Sequence, residues 1–135
     1  MVDTPEYALY KEIGGHLLDM VGEERYFDVA PDFKQFDHDE PIVYMGATSL
    51  QQYTPAKGVL RSKPSLTVHV FGDKEDRQTV EELKNKIYQY VMGLSEIDGY
   101  TVELDPMYTV NSVQEEQEDN VILWHGTLDV TFRVF

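Results

Sequence analysis

The closing run VILWHGTLDVTFRVF alternates so strictly that it dictates its own structure. Every even position from Ile122 to Val134 is apolar or glycine, while His125, Thr127, Asp129, Thr131 and Arg133 stand opposite, all polar. Successive side chains of a strand point to opposite faces, so this period of two makes a long strand with one face on a core. A strand of that kind needs partners and a covering layer, which rules out a purely helical chain.

The rest of the sequence supplies both. TPEYALYKEIGGHLLDMVGEE places Tyr10, Ile13, Leu17 and Met20 or Val21 at three- and four-residue steps behind Thr4 as N-cap and Pro5 at the first helical position. This predicts a helix from about residue 5 to about 21. Gly14-Gly15 costs such a helix roughly 1 kcal/mol per glycine, which suggests a face lying close against other backbone. DKEDRQTVEELKNKIYQYVMGL carries an apolar stripe of Val80, Leu83, Ile87, Val91 and Leu94 and predicts a second helix.

Between the helices, RYFDVAPDF reads as a short extended piece and KQFDHDE as a polar loop. PIVYMGA and SLTVHVFG read as strands, with Leu66, Val68 and Val70 alternating against Thr67, His69 and Phe71. After the second helix, GYTVELD and PMYTVNSV are strand candidates, and QEEQEDN reads as a solvated hairpin tip. Strands and helices are partly segregated rather than strictly alternating. The expected fold is therefore α+β: a mostly antiparallel sheet with two helices packed on one face and a long loop between two strands. The 135 residues fit a single domain spanning 1–135.

That long loop, SLQQYTPAKGVLRSKPS, poses the functional question. No Asp or Glu occurs from Pro41 through Gly72, yet Lys57, Arg61 and Lys63 cluster there in a chain of formal net charge -14. A structureless loop of this length inside a compact domain is uncommon and tends to be functional. Tyr53, Val59 and Leu60 are its candidate apolar anchors. The acidic tract, with Glu115, Glu116, Glu118 and Asp119, is a candidate complementary surface.

Composition excludes several classes of chemistry. Without cysteine there are no disulfides, thiolate nucleophiles or cysteine-based zinc sites. With 25 Asp plus Glu against 11 Lys plus Arg, generic binding along a phosphate backbone is disfavoured, because that affinity comes from counterions displaced by basic residues. Neither GxxxxGK[ST] nor GxGxxG is present, so the usual nucleotide cradles are missing. No apolar run approaches a membrane span, and the N-terminus lacks the order of a secretion signal, so a soluble chain made in the cytoplasm is expected. Asp37, His38, Asp39 and Glu40 offer donors to a divalent cation, and His69 and His125 could join them. A solvated loop is the simpler reading of that tetrad. His16, one turn from Glu12 and Asp19, reads as a surface histidine.

The order of these elements resembles the tail-terminator or tail-completion proteins of long-tailed bacteriophages. The resemblance rests on the N-terminal helix, RYFDVAPDF, PIVYMGATSL, the strand and helix of SLTVHVFGDKEDRQTVEELKNKIYQYV, and the closing WHGTLDVTFRVF. It implies a virion structural protein without catalytic residues or cofactors, repeated as a hexameric ring at the head-proximal end of the tail. Its partners would be other copies of itself, the tail tube protein and a head connector or stopper, with no membrane and no sequence-specific nucleic acid. It would reside in the virion, and in the host cytoplasm during assembly. The basic loop would then meet the acidic tract of a neighbour, face the lumen, or touch the adjoining ring. The residues alone leave two alternatives: a small acidic binding or adaptor protein that mimics DNA by its charge, and a metal-dependent enzyme using His38, His69 and His125.

Overall fold

The computed structural model of the chain describes residues 4–30, 40–56, 59–118 and 121–135. Its elements run α1 (Pro5–Val21), β1 (Tyr26–Phe27), β2 (Ile42–Ala56), β3 (Val59–Asp73), α2 (Arg77–Met92), β4 (Glu96–Ile97), β5 (Tyr100–Leu104), a short 3-10 turn (Pro106–Tyr108), β6 (Val110–Glu118) and β7 (Val121–Val134). The sheet follows the order β1-β2-β3-β7-β5-β4, and β6 also pairs with β7. All described pairings are antiparallel except β1 with β2. The α+β class and the mostly antiparallel sheet are as the sequence predicts.

Strand β7 organises the molecule. Its even-numbered residues Leu128, Val130, Phe132 and Val134 are buried in one core with Leu66, Val68 and Val70 of β3 and Val43 and Met45 of β2. Each such side chain removed from water stabilises the fold by roughly 1.5 to 3 kcal/mol before ordering entropy is subtracted. Both helices contribute to the same core: α1 packs on β2 and β3, and α2 on β3 and β7. Along α1 the buried stripe is Leu9, Ile13, Leu17 and Val21, so Tyr10 and Met20 lie at its margin. Along α2, Val80, Ile87 and Val91 are buried as expected, and Lys84 joins them. Gly126 makes room for Lys84: a Cβ there would sit 3.3 Å from the lysine Cδ. The Lys84 ammonium reaches Glu81 at 3.3 Å, which satisfies the charge while its stem packs. The helices touch where the Tyr90 ring stacks on His16 and its hydroxyl donates to Glu12 at 3.2 Å.

Gly14 meets the Tyr26 hydroxyl, 2.8 Å from where a Cβ would stand, whereas Gly15 faces open space. The glycine pair thus brings α1 against β1 through one residue only, and the close neighbour is a side chain. No described helix is long and apolar enough to cross a membrane.

Two expectations are corrected. The stretch from Ser49 to Ser65 is no loop: apart from residues 57 and 58, which lie outside the description, it belongs to β2 and β3, paired from Ile42–Phe71 to Ala56–Val59. Its Gln, Thr, Ser and Pro content hides strands whose ladder is supplied by each other, with irregularities between Met45 and Thr48 and between Tyr53 and Ala56. The acidic tract is likewise strand through Glu118 rather than a hairpin tip, because β7 offers it a full ladder from Val110–Asp129 to Glu118–Val121. Asp119 and Asn120 lie outside the described residues.

Candidate functional site

The β2–β3 hairpin forms an arm. Its final pairing to β7 is Ser62 with Val134, and beyond it, among the described residues, β3 pairs with β2 alone. On the other side β1 covers β2 only at Val43 and Tyr44, so among the described residues no strand lies along the outer edge of β2 from Met45 onward. Of the predicted site residues, Tyr53, Val59, Leu60 and Arg61 have their backbone in this arm. Lys57 falls outside the described residues.

Lys63 sits where the arm leaves the sheet, and its side chain is engaged. Its Nζ lies 3.4 Å from Asp105 Oδ2 and 4.3 Å from the centre of the Tyr108 ring. Asp105 is buried and does three further jobs. Its other carboxylate oxygen accepts from the Met107 amide at 3.1 Å, its own amide donates to the Thr131 carbonyl at 2.8 Å, and its carbonyl accepts from Thr109 Oγ1 at 2.8 Å. The turn it builds leaves Met107 85% exposed, with Tyr108 and Val110 also exposed. An exposed apolar projection therefore stands beside the base of a basic arm. Sequence reasoning missed Asp105, Met107 and Tyr108. The signal was Asp105-Pro106, a capping residue followed by proline at the first turn position.

The acidic tract lies on the far side of β7. Glu115 is exposed opposite Trp124, and Glu118 pairs with Val121. Glu116, opposite Leu123, is half-buried and turns to His125. Among the described residues β6 pairs with β7 alone, which leaves its outer edge open, and the charges along it discourage unplanned strand pairing. The basic and acidic regions lie at opposite ends of β7: Val134 is beside Ser62, and Leu123 is beside Glu116. The span from Leu123 to Val134 is roughly 37 Å at about 3.4 Å per residue.

On the sheet face away from the helices, Ile42, Phe71 and Leu123 form a small second cluster with Phe27 and Tyr44. His69 and His125 lie on this face, and the structure brings them together. His69 Nδ1 and His125 Nε2 are 2.7 Å apart, Thr127 Oγ1 is 3.2 Å from the same His125 nitrogen, and Glu116 Oε2 is 2.8 Å from His125 Nδ1. The carboxylate approaches off the line of the ring N–H, so this last contact is electrostatic rather than a directed hydrogen bond. Burial, then the charge of His125, holds His69 below the ordinary histidine pKa, against the opposite pull of Glu116 and Asp129. Such a chain of groups can pass or share a proton.

Of the metal tetrad, Glu40 pairs with Arg25 at 3.0 Å, while Asp37, His38 and Asp39 lie outside the described residues. Among the described residues no three His, Cys, Asp or Glu side chains converge as a metal site. Two further contacts escaped the sequence. Trp124 Nε1 donates to the Lys74 carbonyl at 2.8 Å, and the Arg77 guanidinium lies 4.7 Å from the Trp124 ring centre, fixing the start of α2 to β7.

No protein-family model matches the chain, and no curated protein matches it in sequence. In fold, it is similar to a chain in a solved structure of the virion of a native gene transfer agent particle. The TM-score is 0.63 at 13% identity, and the match covers 96% of this chain and 93% of that one. At that identity the likeness is one of fold, and it runs almost end to end in both chains.

Proposed function

We propose that the chain is a virion structural protein of a long-tailed phage or phage-like particle. In this reading it caps the tail tube and joins tail to head as a hexameric ring, without catalysis. The observation that carries the reading is the nearly end-to-end fold match with a chain of a gene transfer agent virion. The element order that resembles tail terminators supports the finer assignment.

The charge layout suits a ring. A head-to-tail interface closed by rotation needs two different, complementary patches on each subunit. The base of the basic arm and the acidic part of β6 stand at opposite ends of β7. Between neighbours they can meet. Exposed ion pairs contribute only about 0 to 1 kcal/mol each, so charge sets register and encounter rate while apolar surface carries affinity. Met107 and Tyr108 now join Tyr53, Val59 and Leu60 as candidate anchors. Particles assembled without the protein test the reading: filled heads with unattached or overlong tails support it, and intact particles refute it.

A further inference from the structure

The 2.7 Å separation of His69 Nδ1 and His125 Nε2 sets a limit on the protons this pair can hold. Two ring nitrogens at hydrogen-bond distance need one proton between them, so one must donate and the other accept. With both rings neutral this is met. It is also met with one added proton, because one ring keeps a lone pair towards its neighbour and Glu116 and Asp129 supply negative charge nearby. A second added proton removes the lone pair and sets two cations in contact.

We propose that the His69–His125 pair is an acid switch built into the sheet, closed with no or one added proton and opened by the second. Opening frays the β3–β7 ladder from its Asp73–Leu123 end back to the pair.

The surroundings favour this outcome over a simple rotation of the rings. From β2, Tyr44 stacks on His69 with ring centres 5.1 Å apart. Gly46 also bounds that ring, since a Cβ on Gly46 would lie 3.0 Å from His69 Nε2. From β3, Phe71 stacks on His125 at 4.3 Å. From β7 come Thr127 and the charge of Asp129, and from β6 Glu116, with Gln114 opposite His125 in the ladder. Among the described residues Tyr44 and the two carboxylates are the titratable groups facing the pair, and the carboxylates favour the first proton. Both rings are held in a stack, so repulsion is relieved by parting the strands that carry them. The pair is near the end of the β3–β7 ladder: only Gly72–Trp124 and Asp73–Leu123 lie beyond Phe71–His125. Local opening there reaches the core at Val70 but leaves Leu66, Val68, Leu128 and Val130 paired, in keeping with the graded local stability of native proteins.

The sign follows from the lowered affinity of His69. Its neutral form is favoured by folding, so its contribution is complete above the ordinary value near 6.5 and is lost as pH falls below it towards the folded value.

The test is amide hydrogen exchange on the whole chain, read by NMR at about pH 7 and about pH 5. After correction for intrinsic rates, protection at the amides among residues 70–72 and 124–126 that donate across the β3–β7 ladder should fall roughly tenfold more than at the β3–β7 amides of the Leu66–Val130 region. In His69→Gln, which donates and accepts but does not titrate, that difference should vanish. Equal loss at both ends of the ladder, or an unchanged difference in His69→Gln, overturns the proposal. Ring-nitrogen shifts of the wild-type chain give an independent reading if the variant does not fold. Two separated steps, more than about one pH unit apart, support the switch; independent titration of both rings near the ordinary value overturns it.

Discussion

Lys63 Nζ stands 3.4 Å from Asp105 Oδ2 and over the face of Tyr108, so the basic arm is pinned at its base by its own chain. The pair is largely out of water, with side-chain exposures of 21% for Lys63 and 7% for Asp105, so removing one partner leaves a poorly solvated charge behind. Asp105→Ala should cost about 2 to 4 kcal/mol in urea unfolding, since it also removes the acceptor for the Met107 amide. Asp105→Asn keeps that acceptor and should recover part of the loss. An alanine variant within about 0.5 kcal/mol of wild type would mean the clamp contributes little.

Two glycines should respond in opposite directions to the same substitution. A Cβ on Gly72 would run into the Val80 side chain, which is itself fully buried, so Gly72→Ala should destabilise by about 1 to 3 kcal/mol. Gly15 faces open space in the middle of α1, and Gly15→Ala should be neutral or stabilising by up to about 1 kcal/mol. Thermal unfolding of the two variants side by side checks the packing of both helices.

Alkaline pH should weaken the fold through two tyrosines. Burial first, then nearby negative groups, pushes Tyr26 and Tyr90 up to about 12 from 10.0. The unfolded chain therefore loses these protons first as pH rises. Their contribution is complete below 10.0 and is lost between 10.0 and about 12. Ultraviolet difference spectra should show the phenols of Tyr26 and Tyr90 titrating late, with Tyr10 also raised above the ordinary value, and Tyr26→Phe should remove one late titration together with part of the alkaline loss.

Assembly should depend on the projection and the acidic edge more than on fold stability. Met107 is 85% exposed, so Met107→Asp should leave unfolding within about 0.5 kcal/mol of wild type while reducing association seen by light scattering. Glu115→Lys should act chiefly on association rate and its salt dependence, because Glu115 is exposed and exposed charges steer encounter. Wild-type association unchanged in both variants would remove these residues from the interface.

What the sequence reveals here follows the strength of local periodicity. Both helices and β7 have clean stripes, and the structure places them within a few residues of expectation. The arm was illegible because Ser49, Gln51, Gln52, Thr54 and Pro55 carry no apolar alternation. Their strand character comes from the partner strand, a non-local cause. The acidic tract misled for a related reason: β7 supplies a ladder that Glu115, Glu116 and Glu118 by themselves would not favour. Of the site, the sequence isolated Lys63, Glu116, His69 and His125 as notable, but their partners are set by register. His69 meets His125 only because Phe71 stands opposite His125 and His69 opposite Thr127, an alignment fixed over the length of β3 and β7.

Electron microscopy of particles made with the gene deleted is the decisive test of the proposed structural role at the head-to-tail joint. A protein in that role leaves, when deleted, filled heads lacking attached tails, together with free tails of normal or excess length, and the intact gene restores complete particles. Complete particles of normal tail length in the deletion would contradict it.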